Sequence, residues 1–270
     1  MITSQSETVA IPDSWQVPTF RTEIIRPKRN RYAVCVFVIN EGERLHSQLA
    51  KMQPFAESFD IIICDGGSTD GSVEPAVVGP FGVNTVLVKT GPGKLSAQMR
   101  MGMAFALARG YDGIIVIDGN DKDDPSAIPR FAERLDAGWD HIQGSRFVPG
   151  GKAINTPTSR YYAVRVLHAP MIAWAAGFRY TDTTNGFRGY SRKFLLDPRV
   201  APFRELFVGY ELHYYLAIRA ARLGFRVKEV PVTRAYPDKG AVPTKIKGWR
   251  GNGLVLQTLF RACAGVYDPR

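Results

Sequence analysis

The stretch Ile114–Pro125, Ile-Ile-Val-Ile-Asp-Gly-Asn-Asp-Lys-Asp-Asp-Pro, joins four apolar β-branched residues to an acidic loop. A short, continuous apolar run of this kind is typical of a strand that is buried on both faces of a parallel sheet. The run ends at Asp118, and further aspartates follow it closely. The stretch therefore predicts a central strand that brings a cluster of carboxylates to one edge of the sheet.

The carboxylates of this loop are Asp118, Asp121, Asp123 and Asp124. Because carboxylates this close repel one another, we expect a positive group among them. Oxygen ligands with open positions suit Mg²⁺ or Mn²⁺, especially when substrate phosphates complete the coordination shell. We therefore expect Asp118 to bind a divalent cation. Asp123 and Asp124 precede Pro125 and are expected only to cap the next helix.

The composition is that of a globular protein with an anionic partner. The chain has 270 residues, 45% of them hydrophobic, and a formal net charge of +10. The charge favours a phosphorylated substrate or anionic lipid, although a solvated basic surface explains it equally well. No zinc finger or aromatic–basic RNA-binding signature is present, so we expect no nucleic-acid partner. Scattered cysteines, a polar N-terminus and the lack of a long apolar run predict a cytoplasmic protein.

Strands and helices alternate along the first half of the chain, with short polar connections. The runs predicted as strands are Tyr32–Ile39, Phe59–Cys64, Val83–Val88, Ile114–Ile117 and Asp140–Gly144. Segments with helical period lie between them. This order is typical of crossover units, and it predicts an α/β fold with a mostly parallel central sheet and helices on both faces.

Three polar loops follow predicted strands: Asn40–Glu41, Asp65–Ser72 and Asp118–Asp124. Ligands of parallel sheets bind at the carboxyl ends of the strands, so we expect these loops to meet in one crevice. Asp65 is suited there to accept hydrogen bonds from a nucleotide. The glycine-rich patterns of dinucleotide and P-loop sites are absent. A nucleotide would therefore be held by carboxylates and metal.

The order of these loops resembles the family 2 glycosyltransferases with a GT-A fold, in particular the dolichyl- and polyprenyl-phosphate mannosyl- and glucosyltransferases. The segments that carry the resemblance are Asn40–Glu41, Asp65–Ser72, Gly93–Lys94, Asp118, Gly144–Phe147, Asp182–Arg188, Gly209–Glu211 and Lys239–Lys245. It implies a Rossmann-like GT-A domain, which we place at residues 31–235. An N-terminal basic arm, residues 1–30, precedes this domain. A C-terminal loop and short amphipathic segment, residues 236–270, follow it.

The resemblance also implies roles for single residues. Donor binding is expected of Asn40, Glu41, Asp65, Lys94 and Asp118. Acceptor or phosphate binding is expected of Arg146, Arg188 and Lys245, since guanidinium groups suit phosphate. The expected catalytic residues are Asp118, Glu211 and Asp182. The last two are the candidate bases if the acceptor is a hydroxyl group.

The chain departs from the family at its metal-binding Asp-x-Asp motif. Asn120 stands where the family has the second aspartate, and Asp121 follows it in a loop one residue longer. Either Asn120 binds Mg²⁺ or Mn²⁺ through its carbonyl oxygen, or the loop shifts and Asp121 takes that place. Asp118 is the first ligand in both cases.

The implied reaction is the inverting transfer of a hexose from a nucleotide-diphosphate sugar to polyprenyl phosphate, with Mg²⁺ or Mn²⁺ on the leaving pyrophosphate. GDP-mannose is the favoured donor, and UDP-glucose or a UDP-N-acetylhexosamine is the alternative. A glycosyltransferase with a glycan or hydroxyl acceptor and a non-catalytic nucleotide-sugar-binding protein are the competing hypotheses. The C-terminal apolar stretch, near Lys245 and Trp249, either packs on the body or contacts an anionic membrane at its cytoplasmic face.

Overall fold

The structure is a computed structural model that describes residues 9–238 and 248–269, without the side chains of residues 248–250. The predicted roles of Lys245 and Trp249 therefore lie outside the described part. The described strands are β1 (Phe20–Ile24), β2 (Tyr32–Val38), β3 (Asp60–Asp65), β4 (Val83–Lys89), β5 (Gly113–Asp118), β6 (His141–Ser145), β7 (Lys152–Ile154), β8 (Arg188–Ser191), β9 (Val227–Pro231) and β10 (Thr233–Ala235).

Eight of these strands form one sheet in the order β1-β4-β3-β2-β5-β8-β6-β9. Strands β4, β3, β2 and β5 pair in parallel, as do β6 and β9. Strands β1 and β8 run antiparallel to their neighbours. The small strands β7 and β10 pair separately, in parallel. The prediction of a mostly parallel central sheet is confirmed.

The helices cover both faces of this sheet. They are α1 (Glu43–Met52), α2 (Pro75–Val78), α3 (Leu95–Ala108), α4 (Ile128–Asp136), α5 (Thr158–Tyr162), α6 (Ala169–Ala176), α7 (Arg192–Leu196), α8 (Glu211–Arg222) and α9 (Gly248–Cys263). Apolar residues of α3, α6, α8 and α9 pack on one face, and those of α1, α2 and α4 pack on the other. The strands between them are buried on both faces, which explains their continuous apolar runs.

Part of the predicted N-terminal arm belongs to the sheet. Residues 1–30 were expected to form an extended arm that could pack on the body of the protein. Within them, Phe20–Ile24 pairs antiparallel with β4, from Phe20 opposite Lys89 to Ile24 opposite Thr85. Without this strand, β4 would present a row of unpaired backbone groups at the edge of the sheet. The segment has no continuous apolar run, so its sequence does not identify it as a strand.

The C-terminal apolar stretch is part of a 16-residue helix, α9. Leu259 and Ala262 are buried in the core beneath α6 and α8, whereas Leu254 and Phe260 are exposed. The expected alternative in which this stretch packs on the body is therefore the one observed. Among the described helices, none is both long enough and apolar enough to cross a membrane.

Candidate functional site

The loop after β5 makes a turn at Asp121. This residue has a left-handed backbone (φ 59°), and its N–H donates to Gln48 Oε1 at 2.8 Å. Its carboxylate accepts hydrogen bonds from Lys51 Nζ and Ser47 Oγ, both at 2.7 Å. Asp121 is thus engaged by α1, and its alternative role as the second metal ligand stays a prediction. The additional residue of the loop makes this turn.

The next three residues of the loop join β10. The N–H of Asp124 donates to Thr233 O at 3.0 Å, and the N–H of Ala235 donates to Lys122 O at 2.8 Å. Between these bonds, Arg234 and Asp123 form an isolated β-bridge. The loop therefore brings the Arg234 side chain to the end of β5 by backbone pairing.

Arg234 connects two carboxylates of the loop. Its Nη2 lies 3.2 Å from Asp118 Oδ2, and its Nη1 pairs with Asp123 Oδ2. Asp123 is buried, so the expectation that it only caps a helix is wrong. Burial by the paired β10 strand gives this carboxylate its different role. Asp124 does cap the following helical turn, because its Oδ1 accepts from Ser126 N at 2.9 Å.

The charged side chains of Asp118, Asp123, Lys122 and Arg234 shift one another's pKa values. Burial alone would raise the pKa of Asp118, but Arg234 and Lys122 outweigh it and hold that pKa below its usual range. Burial raises the pKa of Asp123 to about 6, against the opposing effect of Arg234. Burial and the neighbouring guanidinium of Arg234 both lower the pKa of Lys122. The cluster thus contains two carboxylates and two cationic side chains.

Tyr236 lies among further cations. Its ring centroid is 5.4 Å from Lys122 Nζ, 5.8 Å from Arg160 Cζ and 6.0 Å from Arg234 Cζ. Burial raises the pKa of the phenol, but these cations, together with Arg146, outweigh it and leave the pKa below its usual value. Several cationic side chains therefore lie at the carboxyl ends of β5 and β6, and we call them the basic cluster (Lys122, Arg146, Arg160 and Arg234).

Arg146 and Asp182 form a buried ion pair. Arg146 Nε lies 2.7 Å from Asp182 Oδ2, and its Nη2 lies 3.0 Å from Oδ1. The two side chains are 2% and 0% exposed. Both Asp182 oxygens accept from a guanidinium in this buried setting, and its role as a general base stays a prediction. The predicted phosphate role of Arg146 stays a prediction.

Arg188 is a structural residue. Its guanidinium donates to three backbone carbonyls, those of Asn185 at 3.1 Å, His213 at 2.6 Å and Thr183 at 2.8 Å. The side chain is buried and ties the loop before β8 to helix α8. These donors are taken up by the fold, and the acceptor-phosphate role of Arg188 stays a prediction.

Glu211 and Lys94 line a cavity of about 160 Å³, together with Val208, Gly209, Tyr210, Leu254 and Thr258. Glu211 Oε2 accepts a hydrogen bond from the N–H of Gly209 at 2.6 Å. The backbone N–H of Lys94 donates to Val208 O at 2.8 Å. These two residues are thus brought together by the start of α3 and the start of α8. Asp118 is not among the residues that line this cavity.

The loops after β2 and β3 lie together, as expected. The N–H of Asn40 donates to Ser68 Oγ, and Asn40 Oδ1 accepts from Thr69 N, both at 2.8 Å. Asp65 accepts from the N–H groups of Gly67 and Ser68 and, at 2.5 Å, from Ser68 Oγ.

The predicted donor ligands of these two loops already have partners within the protein. Asp65 is satisfied inside its own loop. Glu41 accepts from Arg44 at 2.8 Å. The donor-binding roles of Asn40, Glu41 and Asp65 stay predictions.

The residues at the end of β5 do not fit a divalent cation of the Asp-x-Asp type. Asp118 and Asp123 share Arg234, and Asp121 is held by Lys51. Asn120 Oδ1 is buried and has no hydrogen-bond partner among the described residues, which makes it the one predicted ligand still open. In the same part of the chain, no three His, Cys, Asp or Glu side chains form a metal-binding group. One neutral oxygen and a shared carboxylate make a weak donor set.

A family model described as Glycosyl transferase family 2 matches residues 33–197, more than half of the chain. The protein belongs to this family. It is similar to undecaprenyl-phosphate mannosyltransferase of Micrococcus luteus, with 31% identity over 74% of this chain and 82% of the relative. It is also similar to polyprenol monophosphomannose synthase of Mycolicibacterium smegmatis, with 30% identity over 80% of this chain and 81% of the relative.

A solved structure has the same fold. Glucosyl-3-phosphoglycerate synthase of Mycobacterium tuberculosis, in complex with Mn²⁺, UDP and phosphoglyceric acid, superposes with a TM-score of 0.60 at 19% identity. The superposition covers 88% of this chain and 79% of that one. The GT-A fold and the prediction of a glycosyltransferase are confirmed.

Sequence reasoning missed Arg234, Lys122, Arg160 and Tyr236 as members of the site. Arg234 stands 116 positions after Asp118, outside any motif. Its only signal in the sequence was the nearby Pro231, a residue that sheets tolerate mainly in edge strands. The pairing with the β5 loop that brings it into the site follows from the folded structure.

Proposed function

We propose that this glycosyltransferase moves a hexosyl group from a nucleotide-diphosphate sugar to polyprenyl phosphate. The observation that carries the proposal is the basic cluster at the carboxyl ends of β5 and β6. Both substrates bring phosphate groups to the reaction, and guanidinium and ammonium groups bind phosphate well. The names of the two curated relatives, both transferases of mannose to a polyprenyl carrier, support the same acceptor and favour GDP-mannose as the donor.

A phosphate acceptor suits the side chains of this site. It is ionised at neutral pH, so its oxygen attacks the anomeric carbon without a general base. The bond from that carbon to the β-phosphate oxygen breaks, and the nucleoside diphosphate leaves with the electron pair. In this proposal the anomeric carbon is inverted. Asp182, paired with Arg146, orients that guanidinium instead of taking a proton.

The proposal does not include Mg²⁺ or Mn²⁺ as a fixed part of the site, because Asp118 and Asp123 are already paired with Arg234. When bound, such an ion would neutralise charge on the leaving pyrophosphate. Asp118 and Asn120 are the residues nearest to the family's ligand pattern. The role we assign to Asp118 is to orient Arg234 at the end of β5.

The apolar chain of the acceptor calls for a membrane surface. The helical segment from α5 to α6 exposes Tyr162, Val166 and Trp174. Trp174 is the most exposed of the three, with 81% of its surface accessible to solvent. Arg165 lies on the same segment. Aromatic and basic residues together suit the interface of an anionic bilayer, so we include a peripheral membrane contact, on the cytoplasmic side, in the proposal.

A transfer assay tests the proposal. The protein is incubated with radiolabelled GDP-mannose and detergent-solubilised decaprenyl phosphate, and label in the organic extract is counted. We expect label to enter this phase, and decaprenol without phosphate to accept none. Parallel reactions with UDP-glucose and UDP-N-acetylglucosamine identify the donor.

Two results would count against the proposal. Transfer to a soluble glycan but not to the lipid phosphate would favour the hydroxyl-acceptor glycosyltransferase. Binding of a nucleotide sugar without turnover on any acceptor would favour a non-catalytic protein. Nucleotide binding is followed separately by thermal shift, since a ligand specific for the folded state raises its stability.

A further inference from the structure

The end of β5 carries cationic side chains at the place where an Asp-x-Asp motif would bind a metal ion. We propose that Arg234 and Lys122 supply the positive charge that faces the donor's pyrophosphate, so that the protein binds a nucleoside diphosphate without a divalent cation. The inference rests on the proposed function for the chemical class of the ligand. Its support comes from the charges at the end of β5, the metal ligands available there and the fixed positions of the two cations.

The carboxylates at the end of β5 leave no excess of negative charge for a divalent cation to neutralise. Asp118 and Asp123 contribute two negative charges, and Arg234 and Lys122 contribute two positive ones. Arg234 lies 3.2 Å from Asp118 and also pairs with Asp123. A divalent cation beside Asp118 would face this guanidinium at close range, where like charges repel strongly because the surroundings are buried.

The ligand set is also poor for a divalent cation. Asp121 is engaged by Lys51 and Ser47. Asn120 offers an amide oxygen that carries no net charge. His213 lies near Asp118, but residues 9–238 and 248–269 contain no group of three His, Cys, Asp or Glu side chains that could hold a metal ion.

The cations are held in place before the ligand arrives. The backbone bonds from Asp124 to Thr233 and from Ala235 to Lys122 fix the loop that carries Lys122 against strand β10, which carries Arg234. Arg234 and Lys122 are both nearly buried, whereas the Asp118 side chain is 23% exposed. The cluster thus opens to solvent on its Asp118 side. Fixed cations of this kind stabilise charge that develops on a leaving group without a reorganisation cost during the reaction.

Calorimetry in the absence of metal tests the proposal directly. GDP and UDP are titrated into the full chain, first in EDTA and then with Mn²⁺ or Mg²⁺ in excess. We expect at least one of the two nucleotides to bind in EDTA, with a Kd within tenfold of its value with metal. Binding that disappears in EDTA and returns with Mn²⁺ would overturn the proposal.

Substitutions of Lys122 and Arg234 test which of these cations binds the nucleotide. Lys122→Gln and Arg234→Gln should each weaken binding in EDTA at least tenfold. Mn²⁺ should restore part of the loss, since each variant leaves an excess of negative charge for the metal. The matched control is Lys51→Gln, which removes a cation that pairs with the same loop through Asp121 and should change Kd less than twofold.

Circular dichroism and thermal melting check that each variant is folded. If Arg234→Gln does not fold, Lys122→Gln carries the test. Wild-type affinity of Lys122→Gln in EDTA would overturn the role of Lys122. If neither nucleotide binds the wild-type protein under any condition, the proposed function fails and the inference fails with it. Binding that requires Mn²⁺ or Mg²⁺ overturns only the inference.

Discussion

Two acidic loops at the same edge of the sheet stabilise their carboxylates in different ways. Asp65, after β3, accepts hydrogen bonds from residues within three positions of itself. Asp118 and Asp123, after β5, are paired with Arg234, more than a hundred positions away. The first loop depends on its own sequence, whereas the second depends on the folded second half of the chain. The difference shows why the same residue type is a local turn former in one loop and part of a site in the other.

We expect the largest loss of stability when the long-range partner of a buried carboxylate is removed. Arg146→Met leaves Asp182 buried and unpaired, and we expect a loss of about 3–5 kcal/mol in the free energy of unfolding. Urea denaturation measures it. The control is Arg31→Met, because Arg31 pairs with Asp112 and Asp136 in an exposed position, where solvent screens an ion pair and its removal costs little stability. Equal losses in the two variants would contradict the distinction.

The second variant tests activity at the long-range loop. Asp118→Asn removes the charge that holds Arg234 at the end of β5, and we expect kcat/KM to fall about 10²–10³-fold, as for other preorganised electrostatic groups. The transfer assay measures it. Asp124→Asn is the matched control, since asparagine also caps a helix well and should leave kcat/KM unchanged. A similar loss in both variants would show that the loop's shape matters, and not its pairing with Arg234.

The strands also differed in how well sequence predicted them. Strands β2 to β6 were found to within one or two residues, because strands buried on both faces leave continuous apolar runs. Strands β1 and β8 were missed. Phe20–Ile24 alternates apolar and polar residues over a short span, and Arg188–Ser191 is short and polar, so neither has such a run.

The site was predicted only where its chemistry is local. Asp118 was identified from its place at a strand end, and the loops of Asn40 and Asp65 meet as expected. Arg234 was not identified, because its pairing with Asp118 spans 116 positions and leaves no spacing to recognise. Arg188 was assigned to a ligand because the sequence does not show that backbone carbonyls take up its donors.

A third variant measures the cost of a local contact. Asp65→Asn replaces charged hydrogen bonds to Gly67 N, Ser68 N and Ser68 Oγ with neutral ones. We expect a loss of about 1.5 kcal/mol in the free energy of unfolding, at the lower end for bonds to charged groups, because the geometry of the loop is retained. Urea denaturation of this variant and of Arg146→Met allows the two losses in the free energy of unfolding to be compared. A loss as large as that of Arg146→Met would mean that the Asp65 loop also depends on the rest of the fold.

The smallest effect is expected at Glu211, whose carboxylate makes a local hydrogen bond. Its carboxylate accepts from Gly209 N at 2.6 Å, and a glutamine oxygen can accept the same bond, so Glu211→Gln should leave the fold unchanged. With a phosphate acceptor, no proton has to be removed, and we expect kcat to change less than threefold. A general base contributes about 10²–10⁴-fold, so a hydroxyl acceptor that used Glu211 would give a loss of at least a hundredfold. The size of this change, measured as kcat at saturating acceptor, therefore separates the two acceptors even before a product is identified.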